Sequence, residues 1–399
     1  MVVVLRSRTG SSRLQKRLDA IRAAGQPTNA RELEQWIGTV PPDENGAPAL
    51  LAAADSRTLD EAALDRVHAA LQYPHFRNPI VPTNGLAALR LSHLVLLKNA
   101  AKALTTEANS AAQKRNGDLA CLRLHDAISI GATLDEEPVF ISYLVRIACY
   151  AISATGTESV LTQSALIESQ LTILQTRFQQ AEGTNVLIRA LIGERALASD
   201  EFSKNQPGIG LLILPGQLGV GATVRLGQLA DSFYVASGMM KADLNHYLEG
   251  MEHLLSVAGT LDSTSKAVRD SLDADLNSRS GAWAHPLSGM VLSGLSRVVG
   301  KELRHVATMR CAQTACAVER YRRSHAEQLP ETLDALVPTY LSKVPEDPMD
   351  GHPLRFRKLP LGYVVYSIGE DGTDDGGVAP ANRPKNGKGG WDYAFTVGR

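Results

Sequence analysis

From about residue 11 to residue 325 this 399-residue chain reads as one helix after another, and near Leu329 that pattern stops. A chain that changes period there cannot be one repeating architecture, since helical stripes and strand alternation bury their apolar residues differently. In "SSRLQKRLDAIRAAG", Leu14, Leu18 and Ile21 share one face and Gly25 marks the stop. Thr58 and Glu61 in "TLDE" predict a capping box, with a helix to about Tyr73. A Pro-rich connection follows, then an Ala/Leu helix over 86–115 that Asn116-Gly117 should end. Further helices are expected over about 118–130, 136–154, 157–182, 184–198, 226–256 and 261–277, and a last one from Leu287 to His325. Beyond Leu329, Pro, Gly and Asp cluster, and "PLRFR", "GYVVYSI" and "WDYAFTV" read as short strands. No repeat recurs at a fixed period. The expected fold is mainly α: an irregular helical bundle or array over 11–286, then a long helix and a small C-terminal α+β unit with a short antiparallel sheet over 287–399.

Composition removes some functions. Lys plus Arg number 41 and Asp plus Glu 42, giving a net charge of −1. No global positive field draws nucleic acid, and 5% aromatic residues leave little for base stacking. Cys121, Cys149, Cys311 and Cys316 all fall in helical stretches without a C-x-x-C pair, as buried apolar cysteines do. The opening "MVVVLRSR" has too few apolar residues for a signal core of about 7–15 or a membrane helix of about 20. Residues 1–10 are read either as the end of a membrane anchor whose start is missing or as a frayed terminus.

Several constellations have local explanations. The glycines of "KNQPGIGLLILPGQLGVGATVRLG" lack the Gly-Lys-Ser/Thr of a phosphate loop and read as a connection between helices. His246, Glu252 and His253 lack the His-Glu-x-x-His order. Asp347, Asp350 and His352 in "EDPMDGHP" stand where Asp-Pro and Asp-Gly form turns. Neither a Gly-x-Ser-x-Gly elbow nor a Ser-x-x-Lys motif stands out.

The exception is "YSIGEDGTDDGG", where Glu370, Asp371, Asp374 and Asp375 crowd among four glycines. Carboxylates so close repel unless splayed, protonated or neutralised. Calcium takes six to eight oxygens from carboxylates, carbonyls and water, and glycine lets carbonyls turn inward. The spacing is not that of an EF-hand, so a non-EF calcium loop and a solvated acidic turn both remain.

The order Tyr321-Arg322, Leu329-Pro330, Leu333 to Pro338, Val344-Pro345, Asp347-Pro348, Gly351-x-Pro353-Leu354, Tyr363, Tyr366-Ser367-Ile368-Gly369, Asp371-Gly372, Gly376-Gly377 and Asp392 resembles the C-terminal region of the major pseudopilin of type II secretion systems. The resemblance covers about 307–396. It implies a calcium-braced sheet, with Asp371 at the family's loop aspartate and Asp392 at its late one. Asp374 and Asp375 fall where the family's loop varies. The family's cleaved leader and apolar first helix have no counterpart, so pilus-like polymerisation is not expected. "VAPANRPKNGKGG" is longer than the family's loop. The whole chain also resembles uncharacterised large proteins of planctomycete-type bacteria.

The expected function is a non-enzymatic scaffold or interaction protein of the cell envelope with a calcium-braced C-terminal unit. Its partner would be a protein, not nucleic acid, and a missing N-terminal anchor would give membrane association. The alternatives are an enzyme with a site among the helices, near 208–222, and a cytosolic helical adaptor with an acidic turn.

Overall fold

The computed structural model describes residues 2–84, 91–183, 185–202, 232, 234–261, 266–280, 285–295, 297–377 and 392–399. The Gly-rich stretch 204–227 and the tail loop 378–391 lie outside the described residues. The chain is mainly helical, with one small sheet near the C-terminus. In order come α1 Val2–Ala23, α2 Ala30–Ile37, α3 Ala47–Ala54, α4 Glu61–Ala70, α5 Ser92–Gln113, α6 Gly117–Ala132, α7 Phe140–Gln163, α8 Glu168–Gln180 and α9 Asn185–Glu201. These are followed by α10 Met239–Ala258, α11 Lys266–Ser280, α12 Pro286–Leu295 and α13 Val298–Ser324. Strands β1 Arg355–Lys358, β2 Tyr363–Ser367 and β3 Tyr393–Val397 form an antiparallel sheet in the order β1-β2-β3. They coincide with the three runs read as strands.

The boundaries differ from expectation where a local signal misled. The first helix begins at Val2, so residue 10 is no boundary. The cap of α4 is Asp60, whose carboxylate accepts the amide of Ala63 at 2.9 Å, not Thr58. Thr155-Gly156-Thr157 reads as a break, yet α7 runs through it. Gly156 is there for a close approach: a Cβ would lie 2.1 Å from Thr105 Cγ2 on α5. Conversely, 287–325 is two helices, because Arg297 takes φ 73° between α12 and α13. Its amide donates to Asp273 Oδ1 at 3.3 Å.

Helix α13 is the central element. Most of its residues are buried, on α7 and α8 on one side and on β2 and β3 on the other. Its apolar core runs without a seam from Ala108 and Leu124 through Met309, Cys316 and Val318 to Leu336, Tyr363, Val365 and Val397. A second core joins Leu14 and Leu254 to Met349 and Ile368. Both cross residue 286, so the C-terminal unit shares its core with the helical region. The four cysteines are free and buried, and burial pushes the thiols of Cys121 and Cys149 up to about 11 and about 12.

The helical core also holds charge. Arg146 on α7 is buried, its Nε 2.5 Å from Asp135 Oδ1 and its guanidinium 4.8 Å from the Tyr150 ring. Beside it lies His305 of α13, whose Nε2 is 2.9 Å from the carbonyl oxygen of Ala181 and 3.3 Å from Arg146 Nη1. Burial, then the charge of Arg146, lowers its pKa from 6.5 to about 3, against a small lift from the Ala181 carbonyl.

Two outcomes follow from this packing. Leu336, fully buried in the helical turn Leu333–Leu336 that packs on α13, should lose about 2–5 kcal/mol as Leu336→Ala in urea unfolding. Below pH 6.5 the unfolded chain protonates His305 while the folded chain holds it neutral down to about pH 3, so this group weakens the fold as pH falls across that window. His305→Gln should flatten that part of the stability-versus-pH curve. An unchanged slope would show that other groups set it.

Candidate functional site

The acidic loop sits on the outer face of the C-terminal sheet, and its chemistry starts from a residue outside it. Asp347 is fully buried in the turn before β1. The turn is closed by its own backbone, with Asp347 N donating to the His352 carbonyl at 2.6 Å and Gly351 N to the Asp347 carbonyl at 2.8 Å. Its carboxylate reaches into the sheet end. Oδ1 accepts Met349 N at 2.9 Å and Ser367 Oγ at 2.7 Å, and Oδ2 accepts Ile368 N at 2.9 Å and Arg355 Nη1 at 2.7 Å. Burial lifts its pKa above the ordinary carboxylate value, and the donors pull it only part of the way back.

Arg355, the first residue of β1, ties three carboxylates together. Beyond Asp347, its Nη2 lies 2.5 Å from Asp350 Oδ2 and its Nε 3.4 Å from Asp374 Oδ2. Burial would raise the Asp350 pKa, but the bonds from Arg355 and the His352 amide outweigh it and hold the carboxyl below its usual value. Of the crowded carboxylates of the loop, the guanidinium thus meets Asp374, while Arg304 meets Glu370.

The loop carboxylates mostly serve the loop's own turns. Asp371 Oδ1 accepts Thr373 N at 3.1 Å, and Asp374 Oδ1 accepts Gly376 N at 2.9 Å. Asp392, buried just before β3, accepts Gly377 N at 2.6 Å and Asp375 N at 3.4 Å. Burial raises the Asp392 pKa, as do the charges of Asp374 and Asp375, while the two amides lower it. Asp392 thus clamps the loop over β2. Gly377 (φ 77°) lies flat on that strand, where a Cβ would come within 2.9 Å of Tyr366 and 3.0 Å of Val364. At Gly377 the loop hugs the sheet, whereas Gly372 and Gly376 have open space around them and take φ 73° and 74° in the turns. Tyr366 carries a pKa pushed up to about 12 by burial, the Asp374 charge and its hydrogen bond to that carboxylate.

Of the four residues expected at a metal, Asp374, Asp375 and Asp392 come together electrostatically, and Asp371 caps its own turn. Among the described residues, no group of three or more His, Cys, Asp or Glu side chains is arranged to hold a metal. Glu370 is exposed and accepts from Arg304 of α13 at 3.2 Å and from the Tyr393 hydroxyl at 3.0 Å. Sequence reasoning took Asp347 as a turn former and overlooked Arg355. The turn was legible from Asp-Pro and Asp-Gly. The reach to Arg355 depends on β1 folding back beside it.

Other constellations separate or pair off. His246 stacks on His285 at 4.3 Å, while His253 bonds Asp275 at 3.0 Å. Ser324 Oγ and His325 Nδ1 are 2.9 Å apart, but the same Nδ1 is 2.9 Å from the Tyr321 carbonyl. That nitrogen carries the proton, so this pair is no nucleophile and base. No family model, curated protein or solved structure matches the chain.

The site predicts a steep dependence on Asp347. Asp347→Ala removes one of Arg355's three carboxylates and leaves three further donors unpaired, and should cost about 3–5 kcal/mol in chemical denaturation. Loss of less than about 1 kcal/mol would mean that water replaces the carboxylate.

Proposed function

We propose that the chain is a non-enzymatic scaffold or interaction protein of the cell envelope, with its C-terminal sheet as a locked structural unit. The observation that carries this reading is how the charged groups of that unit are used. Asp347, Asp350, Asp371, Asp374 and Asp392 each accept a backbone amide, and Asp347, Asp350 and Asp374 also meet the Arg355 guanidinium. Such groups hold geometry; they are not poised to exchange protons with a substrate. Envelope placement rests on the pseudopilin resemblance. The observed order of a long helix, a turn-rich segment and a small antiparallel sheet supports it.

Calcium belongs to the same reading. Asp392 feels the like charges of Asp374 and Asp375, and a cation beside them would relieve that repulsion. The residues that would take it are Asp374, Asp375 and Asp392, with Asp371 from the first turn of the loop. Its role would be to brace the loop, with no part in catalysis.

Two measurements test the proposal. In native cells, protease added to spheroplasts should degrade the chain while cytosolic markers survive; full protection would place it inside and end the envelope reading. The whole chain should melt higher in millimolar calcium than in chelator, since a ligand of the folded state at a hundredfold excess over Kd adds about 2.7 kcal/mol. An unchanged midpoint would leave Arg355 and the backbone amides as the loop's charge partners and remove calcium.

A further inference from the structure

A cleft of about 440 Å³ opens where α8, α13 and the segment 340–346 meet. That is the size of small-molecule sites, about 300–1,000 Å³. Its floor is polar: Gln313 of α13 is buried, and Gln175 of α8 is half-buried. Gln175 is held at both ends of its amide, donating to the Tyr340 carbonyl at 2.8 Å and accepting from Arg320 at 3.0 Å. Gln179, Ser342 and Lys343 form an exposed rim.

The charges on the wall cancel in pairs. Arg310 Nε lies 3.0 Å from Glu182 Oε2, and Gln313 donates its amide to the other Glu182 oxygen. Lys343 Nζ lies 3.2 Å from Glu346 Oε1. Two cations face two anions, so the cleft presents no net charge. An anion entering it would have to displace Glu182 or Glu346, and a cation would have to displace Arg310 or Lys343. Arg310 is further tied down, its Nη1 donating to the Glu346 carbonyl at 2.8 Å, so what remains is a mixture of donors and acceptors: carboxamides, the Ser342 hydroxyl and the further N–H groups of Lys343. Apolar lining is confined to Leu341 and Pro345, with the ring of Tyr340 beside them. An extended peptide would want a strand edge or apolar side-chain pockets, and the walls here are two helices and a turn-rich segment.

We propose that this cleft binds a neutral, hydroxyl-rich ligand, a short saccharide. Hydroxyl groups both donate and accept, which matches walls whose carboxamides do the same. A neutral polyol leaves both ion pairs in place. The inference rests on neither calcium nor envelope location, so its failure would leave those readings untouched.

The test uses the full chain and three probes, cellobiose, maltose and N,N′-diacetylchitobiose, followed by saturation-transfer NMR and calorimetry, with inorganic phosphate as the charged control. Saturable binding of at least one disaccharide is expected. Gln179→Ala and Lys343→Ala stand at the exposed rim and should leave the melting temperature unchanged. Each should weaken binding about tenfold, the size of one lost hydrogen bond of about 1.4 kcal/mol. Three outcomes overturn the proposal: no saturable binding by any of the three sugars, binding that both variants leave unchanged, or phosphate bound more tightly than every sugar.

Discussion

The carboxylate of Asp347 is the constraint on which the C-terminal unit depends. A buried charge is stable only if donors surround it, and this one gathers them from four places in the chain: Met349, Arg355, Ser367 and Ile368. Those contacts fix the start of β1 against the end of β2, the register a three-stranded sheet needs when it has no other partner sheet. Arg355, held by Asp347, then holds Asp350 and Asp374. The acidic loop is thereby drawn back over β2, where Gly377 can lie flat and Asp392 can clamp it. Remove the first carboxylate and each later contact loses its reason.

The fold class was legible because helix and strand differ in period and composition, and the change near Leu329 was abrupt. The three strand runs were placed because β-branched and aromatic residues there are bracketed by turn formers. Helix ends were read less well, for a physical reason. Gly156 reads as a terminator until α5 is seen pressed against it, and nothing local distinguishes Arg297 as the residue that turns left-handed. The site was half legible. Crowded carboxylates announced a charge problem, but the guanidinium that reaches Asp374, that of Arg355, becomes visible only through the antiparallel return of β1. A guanidinium and a bound cation solve the same electrostatic problem, and spacing alone cannot choose between them.

The helical region handles buried charge differently. Arg146 and Asp135 pair, while His305 beside Arg146 stays neutral because burial, and then the adjacent guanidinium, disfavour a second cation there. Likewise Glu137 is buried with His93 at 3.0 Å and Asn78 at 2.5 Å, anchoring the Pro-rich connection to the end of α6. Such clusters fix which helix meets which, at positions where Ala-rich faces would slide.

The sheet also depends on the helices for the protection of its edge. Strand β3 ends the sheet, and an uncovered edge is a template for pairing with other chains. Helix α7 covers it: Thr396 N donates to Glu158 at 2.8 Å and Gly398 N to Thr162 at 3.2 Å, while Arg399 Nε reaches the Leu161 carbonyl at 2.5 Å. The far side of the same strand end is held by Glu319 of α13, bonded to both Arg399 and Arg322. A piece containing only α13 and the sheet would lose every contact to α7 and expose the core that joins Leu124 and Leu161 to Val397. The C-terminal unit is therefore part of one folding body with the helices that precede it.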